Sequence, residues 1–221
     1  PWGSLVQASS NGKFYGTTDQ GGATTNDYGT IFEYDPETDI YTRKFNFSGS
    51  GKGIQPRGSL IEAPDGNLYG MAFAGGANSR GTLFKYTPGA VTVSAFSFDG
   101  TNGRSPYGSL ELASNGKLYG MTFRGGANDS GVVFEFDPDP DAVTPYTILM
   151  DFDGDNGKNP YGDLVEGSDG KLYGMTSAGG ANNKGVLFMY DLASATPYTK
   201  LMDFDGVNGS TPRGSLIQAS D

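Results

Sequence analysis

The chain has 221 residues, enough for one sizeable core, and it is rich in Gly (36), Phe (14) and Tyr (13). Its formal net charge is −10 with no Lys/Arg cluster, which argues against a nucleic-acid backbone or an anionic membrane surface as partner. It contains no His and no Cys, which removes the commonest general base, the Ser-His-Asp arrangement, most zinc sites and all disulfides.

Gly-Ser-Leu or Gly-Asp-Leu opens a unit at Gly3, Gly58, Gly108, Gly162 and Gly214, at separations of 55, 50, 54 and 52 residues. A period near 50 residues marks a propeller, a solenoid or an array. The units run 3–57, 58–107, 108–161 and 162–213, with a partial unit over 214–221, and all are read as one tandem-repeat domain. Within unit three, the short alternating stretch from Ser109 to Ala113 predicts a first strand. Asn115-Gly116 is a strong hairpin signal, matched by Asn11-Gly12, Asp65-Gly66 and Asp169-Gly170. Lys117 to Phe123 predicts the second strand, and Gly-Gly-Ala-Asn breaks the chain after it. Val132 to Phe136 is the third strand, Asp137-Pro138 turns it, and Thr147 to Phe152 is the fourth. No stretch carries a 3.6-residue apolar period behind a helix cap. No apolar run approaches the roughly 18–20 residues of a membrane span. The predicted class is all-β, a propeller-like array of four-stranded antiparallel blades.

Strand alternation assigns the core faces. Phe45/Phe47, Phe96/Phe98, Met150/Phe152 and Met202/Phe204 line the fourth strands. Ile31, Leu83, Val133 and Leu187 line one face of the third strands, and Phe32/Tyr34, Phe84/Tyr86, Phe134/Phe136 and Phe188/Tyr190 line the other. A blade held between blades buries both faces. Gly16, Gly70, Gly120 and Gly174 in the second strands predict a close approach by a neighbouring aromatic or backbone.

Each unit carries Gly-x-Leu/Phe-Tyr-Gly, then Gly-Gly, then an aromatic third strand, and unit one continues through Tyr34-Asp35-Pro36-Glu37-Thr38. This resembles the kelch repeat, with Tyr41, Tyr146 and Tyr198 in place of its tryptophan and no clear equivalent in unit two. Lys171 to Phe188, Asn67 to Phe84 and Lys117 to Phe134 match more closely the bacterial tandem repeat called GloVer (Gloeo/Verruco). The resemblance covers essentially the whole chain. It implies a secreted or surface-anchored, propeller-like protein, and it implies no known enzymatic activity. Unit one departs from it by a two-residue insertion in the Gly-Gly loop.

Three candidate features stand out. Asp151, Asp153 and Asp155 look like the start of an oxygen-rich calcium loop, but Asn156 and Gly162 stand where an EF-hand needs Gly and Glu, and the other units repeat the pattern only in part. Calcium is therefore set against a plain acidic turn, and no other cofactor is expected. Trp2, Arg57, Tyr107, Tyr161 and Arg213 precede the five Gly-Ser-Leu or Gly-Asp-Leu openings. These planar groups stack on a sugar or peptide at a channel mouth, or they pack between blades. Sequons occur at Asn46, Asn128 and Asn208.

Paired carboxylates occur, but none stands at a separation that defines an acid and a base, so no enzyme is expected. Both ends fall at the same phase of the repeat, which reads as a mature product or a segment of a longer array. Four blades and a surplus strand predict half of an eight-bladed ring, a piece of a longer array, or a filament joined by strand addition. The expected function is an extracellular structural or self-assembling repeat protein, with a carbohydrate- or peptide-binding propeller as the alternative.

Overall fold

The structure is a computed structural model that describes residues 2–22, 27–49 and 51–219. The unit-one insertion falls largely on residues 23–26, outside the described residues. The described residues are all-β and fall into four antiparallel sheets, one per unit. Sheet one has the order β1 (Val6–Gln7), β2 (Phe14–Thr18), β3 (Thr30–Asp35) and β4 (Ile40–Asn46). Sheet two contains β5 (Ile54–Pro56), β6 (Ile61–Glu62), β7 (Leu68–Ala74), β8 (Thr82–Tyr86) and β9 (Val93–Ser97). Sheet three has β10 (Glu111–Leu112), β11 (Leu118–Thr122), β12 (Val132–Phe136) and β13 (Tyr146–Asp151). Sheet four has β14 (Lys158–Pro160), β15 (Val165–Glu166), β16 (Leu172–Ala178), β17 (Val186–Tyr190) and β18 (Tyr198–Asp203).

The innermost strand is split. In sheets two and four, β5 and β14 pair with the upper half of the second strand, while β6 and β15 pair with its lower half. Sheet membership thus starts a few residues before Gly-Ser-Leu, at Ile54 and Lys158. Gln55 and Asn159, just before the prolines, have positive φ, and there the chain turns to let the two halves share one edge.

The sheets stack face to face, and the cores lie between them. Ala8, Tyr15, Ile31 and Phe47 of blade one meet Leu60, Leu68, Phe84, Tyr86 and Val93 of blade two. Tyr69, Met71, Leu83 and Phe98 of blade two meet Leu110, Leu118, Val132 and Phe134 of blade three. Tyr119, Met121, Val133 and Phe152 then meet Leu164, Leu172, Val186, Phe188 and Tyr190. Both faces of an interior blade are buried, as the alternation predicts. Edge-on ring contacts join consecutive blades, at 5.1 Å for Phe47 with Phe84 and 5.5 Å for Phe152 with Phe188.

The second-strand glycines do what was expected. A Cβ on Gly70 would lie 2.7 Å from Phe84 Cζ and 2.9 Å from Leu60 Cδ2, so the third-strand ring lies flat on the backbone there.

The partial fifth unit departs from expectation. Its described part, residues 214–219, forms no strand, although it docks where one belongs. Thr211 N donates to Lys184 O at 2.8 Å, as Asn159 N donates to Ser130 O at 2.8 Å one blade earlier. Its contacts with blade four are isolated hydrogen bonds, Asp163 N to Ser215 Oγ and Ser168 N to Gln218 Oε1, and among the described residues no strand forms a ladder with it. Ser220 lies outside the described residues.

Candidate functional site

The inner strands touch backbone to backbone, which is why each unit opens on glycine. A Cβ on Gly58 would lie 2.5 Å from Gly108 O, and one on Gly108 2.5 Å from Gly162 O. The residue after each glycine bridges the same gap. Ser4 N donates to Ser59 Oγ at 2.8 Å, Ser59 N to Ser109 Oγ at 2.9 Å, and Asp163 N to Ser215 Oγ at 2.9 Å. Ser109 N donates to Asp163 Oδ1 at 2.5 Å, so the aspartate replaces serine without breaking the row.

A second row runs further out. Ser9 N and Oγ donate to Glu62, Ser114 N and Oγ to Glu166, and Ser168 N to Gln218 Oε1. The one gap is complementary. Pro64 stands where Ser9 and Ser114 stand and has no N–H, and Leu112 stands opposite it in place of Glu or Gln.

On this inner edge the structure gathers all five planar residues singled out in the sequence. Trp2, Arg57, Tyr107, Tyr161 and Arg213 line one cavity of about 250 Å³, with Ser4, Ser59, Ser109, Asp163 and Ser215 as its polar wall. The Arg57 guanidinium lies over the Phe73 ring at 3.9 Å and the Tyr107 ring at 4.8 Å. Tyr107 and Tyr161 stack at 4.2 Å, tilted 21°, and Arg213 covers Tyr161 at 5.4 Å. Phe73 and Phe123, which the sequence reading missed, complete the stack. Their signal was available, because both lie two residues beyond the Gly-Met dipeptide, Phe73 within the second strand and Phe123 just past its end. Packing between blades and a common cavity are therefore both realised by the same residues. Trp2 differs. Its Nε1 donates to Asp19 Oδ2 at 2.9 Å while the residue stays 67% exposed.

The structure does not gather Asp151, Asp153 and Asp155. Asp151 Oδ1 accepts Ala127 N at 2.7 Å, tying down the Gly-Gly loop. Asp153 and Asn156 exchange bonds across their own turn at 2.9 Å, and Asp155 is exposed. Among the described residues no three acidic groups are placed to hold one metal ion. Asp99 with Asn102 and Asp205 with Asn208 repeat the turn, so the recurring Asp is explained by turn chemistry. The Asn128 and Asn208 amides are likewise held, donating to Phe152 O and Asp203 O.

At the opposite end of the blades lies a network that sequence reading did not find. Each second-strand tyrosine meets a carboxylate, but its source changes. Tyr15 donates to Glu33 at 2.5 Å and Tyr119 to Glu135 at 2.8 Å, both on the third strand. That position is Lys85 in blade two and Met189 in blade four. There Tyr69 donates to Asp65 at 2.8 Å and Tyr173 to Asp169 at 2.9 Å, both on the hairpin. Burial pushes Glu33 up, but the bonds from Tyr15 and Lys13 and the charge of Lys44 outweigh it, so its pKa lies below the ordinary value. Asp65 ends below its ordinary value too, with burial opposed by Lys85, Asn67 and Tyr69.

The family model described as the Gloeobacter/Verrucomicrobia repeat matches residues 1–221. No curated protein matches the sequence. Among solved structures, the chain is similar to TolB from Acinetobacter baumannii (TM-score 0.51, 18% identity, 84% of this chain and 40% of that one). It is similar to the periplasmic gluconolactonase PpgL from Pseudomonas aeruginosa (TM-score 0.51, 15% identity, 84% and 53%). A protein of unknown function from Dyadobacter fermentans gives a TM-score of 0.52 at 11% identity, with 89% and 66% covered. The fold is thus all-β and β-propeller-like, and the chain spans 40 to 66% of the length of these three chains.

Proposed function

The chain belongs to the Gloeobacter/Verrucomicrobia repeat family, whose units recur in tandem, and on that premise we propose that it is a non-enzymatic structural repeat protein that joins end to end outside the cytoplasm. One observation carries the reading: the two end faces carry the residues of the interior interfaces without a partner. Blade one turns outward Leu5, Phe14, Phe32 and Tyr34, the counterparts of Leu60, Leu68, Phe84 and Tyr86. Leu5, Ile40 and Tyr41 are each more than half exposed. Blade four turns outward Tyr173 and Leu187, which with Val165, Leu201, Leu216 and Ile217 line a groove of about 540 Å³. In the interior, the next blade fills that position.

The two serine rows run one way, with N–H groups on the earlier blade and side-chain acceptors on the later one, while Glu166 N to Glu111 Oε1 is a reversed bond between blades three and four. Blade one therefore offers the Ser4 hydroxyl and the Gln7 amide to a preceding blade. The occupant of the groove is a second copy, its blade one set on blade four. Because 213–218 and 2–7 carry nearly the same residues, one inner segment is redundant at the joint. Two copies of four blades make eight, within the usual range of closed propellers. The similar gluconolactonase is described as periplasmic, which supports a place outside the cytoplasm. A non-catalytic role rests on the absence of His and Cys and on the number of carboxylates held by turns and pairs.

Negative-stain microscopy of the wild type beside Leu5→Asp and Ile217→Asp tests the reading. Both positions are exposed in the single chain, so the variants should fold. Rings or fibres that vanish in both variants are expected. Single arcs in all three samples would overturn it.

A further inference from the structure

The cavity at the inner edge has an unbalanced set of polar groups. Arg57 Nε is buried without an acceptor. Among the described residues neither the Arg57 nor the Arg213 guanidinium has a carboxylate partner, and the Tyr107 and Tyr161 hydroxyls make no hydrogen bond to the protein. Asp163 is the only acid in the lining, and one of its oxygens already accepts from Ser109 N. Two cations and two phenols thus face one space in a chain of net charge −10. Such a set of donors asks for an anionic acceptor, and guanidinium groups suit the paired oxygens of a carboxylate. The ring stack keeps Arg57 oriented, so little freedom is lost when an acceptor arrives.

The second component is a flat apolar surface. The bond to Asp19 fixes the Trp2 indole by its edge, and its faces stay open beside the cavity. An open indole face suits the C–H face of a sugar ring. A volume of about 250 Å³ corresponds to the liquid volume of about eight waters, room for one sugar ring.

We propose that this cavity binds a carboxylate-bearing sugar unit, a hexuronate, with the carboxylate on Arg57 and the ring against Trp2, the residue at the same position one blade earlier. Every group involved belongs to one chain, so the site does not depend on end-to-end assembly.

The test uses the single tryptophan, Trp2, as reporter, excited at the red edge of the absorption band where the 13 tyrosines absorb little. Glucuronate and galacturonate are titrated into the low-millimolar range at low salt, with glucose and N-acetylglycine as comparisons. Light scattering on the same samples separates binding from any change of assembly. Saturable change with a uronate, at least about fivefold weaker with glucose and with N-acetylglycine, is the expected result; salt should weaken it, because the cavity faces solvent. Arg57→Gln, its fold checked by thermal melting, should weaken uronate binding about five- to tenfold, as loss of a charged hydrogen bond does, whereas Arg213→Gln, two stacked tyrosines away, should leave it unchanged. No saturable signal with either uronate, or no effect of a folded Arg57→Gln variant, would overturn the proposal. Equal binding of N-acetylglycine would overturn the sugar assignment and leave a bare carboxylate site.

Discussion

Phe84 and Phe32 hold the same place in adjacent blades, and what differs is the neighbour. Phe84 is fully buried because Phe47 and Ile31 of blade one cover it; Phe32 has only Tyr41 stacked on it at 5.2 Å and stays half-buried. Tyr119 and Tyr173 repeat the contrast at the other end of the chain, the first buried under blade four and the second lining an open groove. A blade of this protein therefore does not own its core. It brings two half-cores, and each is completed by the next blade. That is how repeat proteins divide their stability between units and interfaces.

Substitutions at matched positions break or sharpen this comparison. Phe84→Ala should cost about 3–5 kcal/mol, the usual price of emptying a well-packed aromatic site, and Phe32→Ala should cost much less in the unassembled chain. Denaturant unfolding of both variants measures it. Equal losses would mean that blades are stable alone.

Gly58→Ala should cost about 1–3 kcal/mol, because its Cβ would lie 2.5 Å from Gly108 O and the inner strands must part. Gly214→Ala, with nothing within 4 Å, should be near neutral, and thermal melts of the two variants compare them.

Glu33→Gln comes next. Its carboxylate is buried with Tyr15 at an interior interface, and its pKa is held below the ordinary value, so its contribution is complete above about pH 4.3 and is lost as pH falls through the lower folded value. The variant should cost about 1–2 kcal/mol at pH 7 and little near pH 2. Asp169→Asn, at the open end, should change stability little at either pH. Unfolding curves at both pH values separate the two cases.

The smallest effect is expected at Thr211, a β-branched residue at φ 53°. Thr211→Asn matches Asn159 one blade earlier, which has φ 54°, and should stabilise the docked segment by about 0.5–1 kcal/mol. Slower amide exchange over residues 211–218 would report it.

The parts of the fold that depend on short-range chemistry were legible in the sequence. Asn115-Gly116, the alternation of Val132 to Phe136 and the glycine at Gly120 each state a local rule. The five planar residues before Gly-Ser-Leu or Gly-Asp-Leu were legible as a set because the period aligns them. What was not legible depends on register across strands. Unit two has no tyrosine where Tyr41, Tyr146 and Tyr198 stand, and only the ladder shows that Val93, opposite Tyr86, takes that place. Blade two also lacks the bulge that the other three blades carry between third and fourth strands, which shifts the alignment by one residue. The exchange of Glu33 for Asp65 as the tyrosine's partner was hidden for the same reason: the two lie on different elements and meet only once the hairpin is folded. Asp151, Asp153 and Asp155 open a turn and a calcium loop alike, so the residue types alone did not separate the two.

The most direct test of the central claim, that each end face is half of an interface, is the molar mass of the wild-type chain by static light scattering across a wide concentration range. The account predicts a rise from 23.2 kDa to twice that mass, or beyond it if the joint does not close, reversed by Leu5→Asp. A mass fixed at 23.2 kDa at every concentration, with Phe32 and Leu187 still open to solvent, would contradict it.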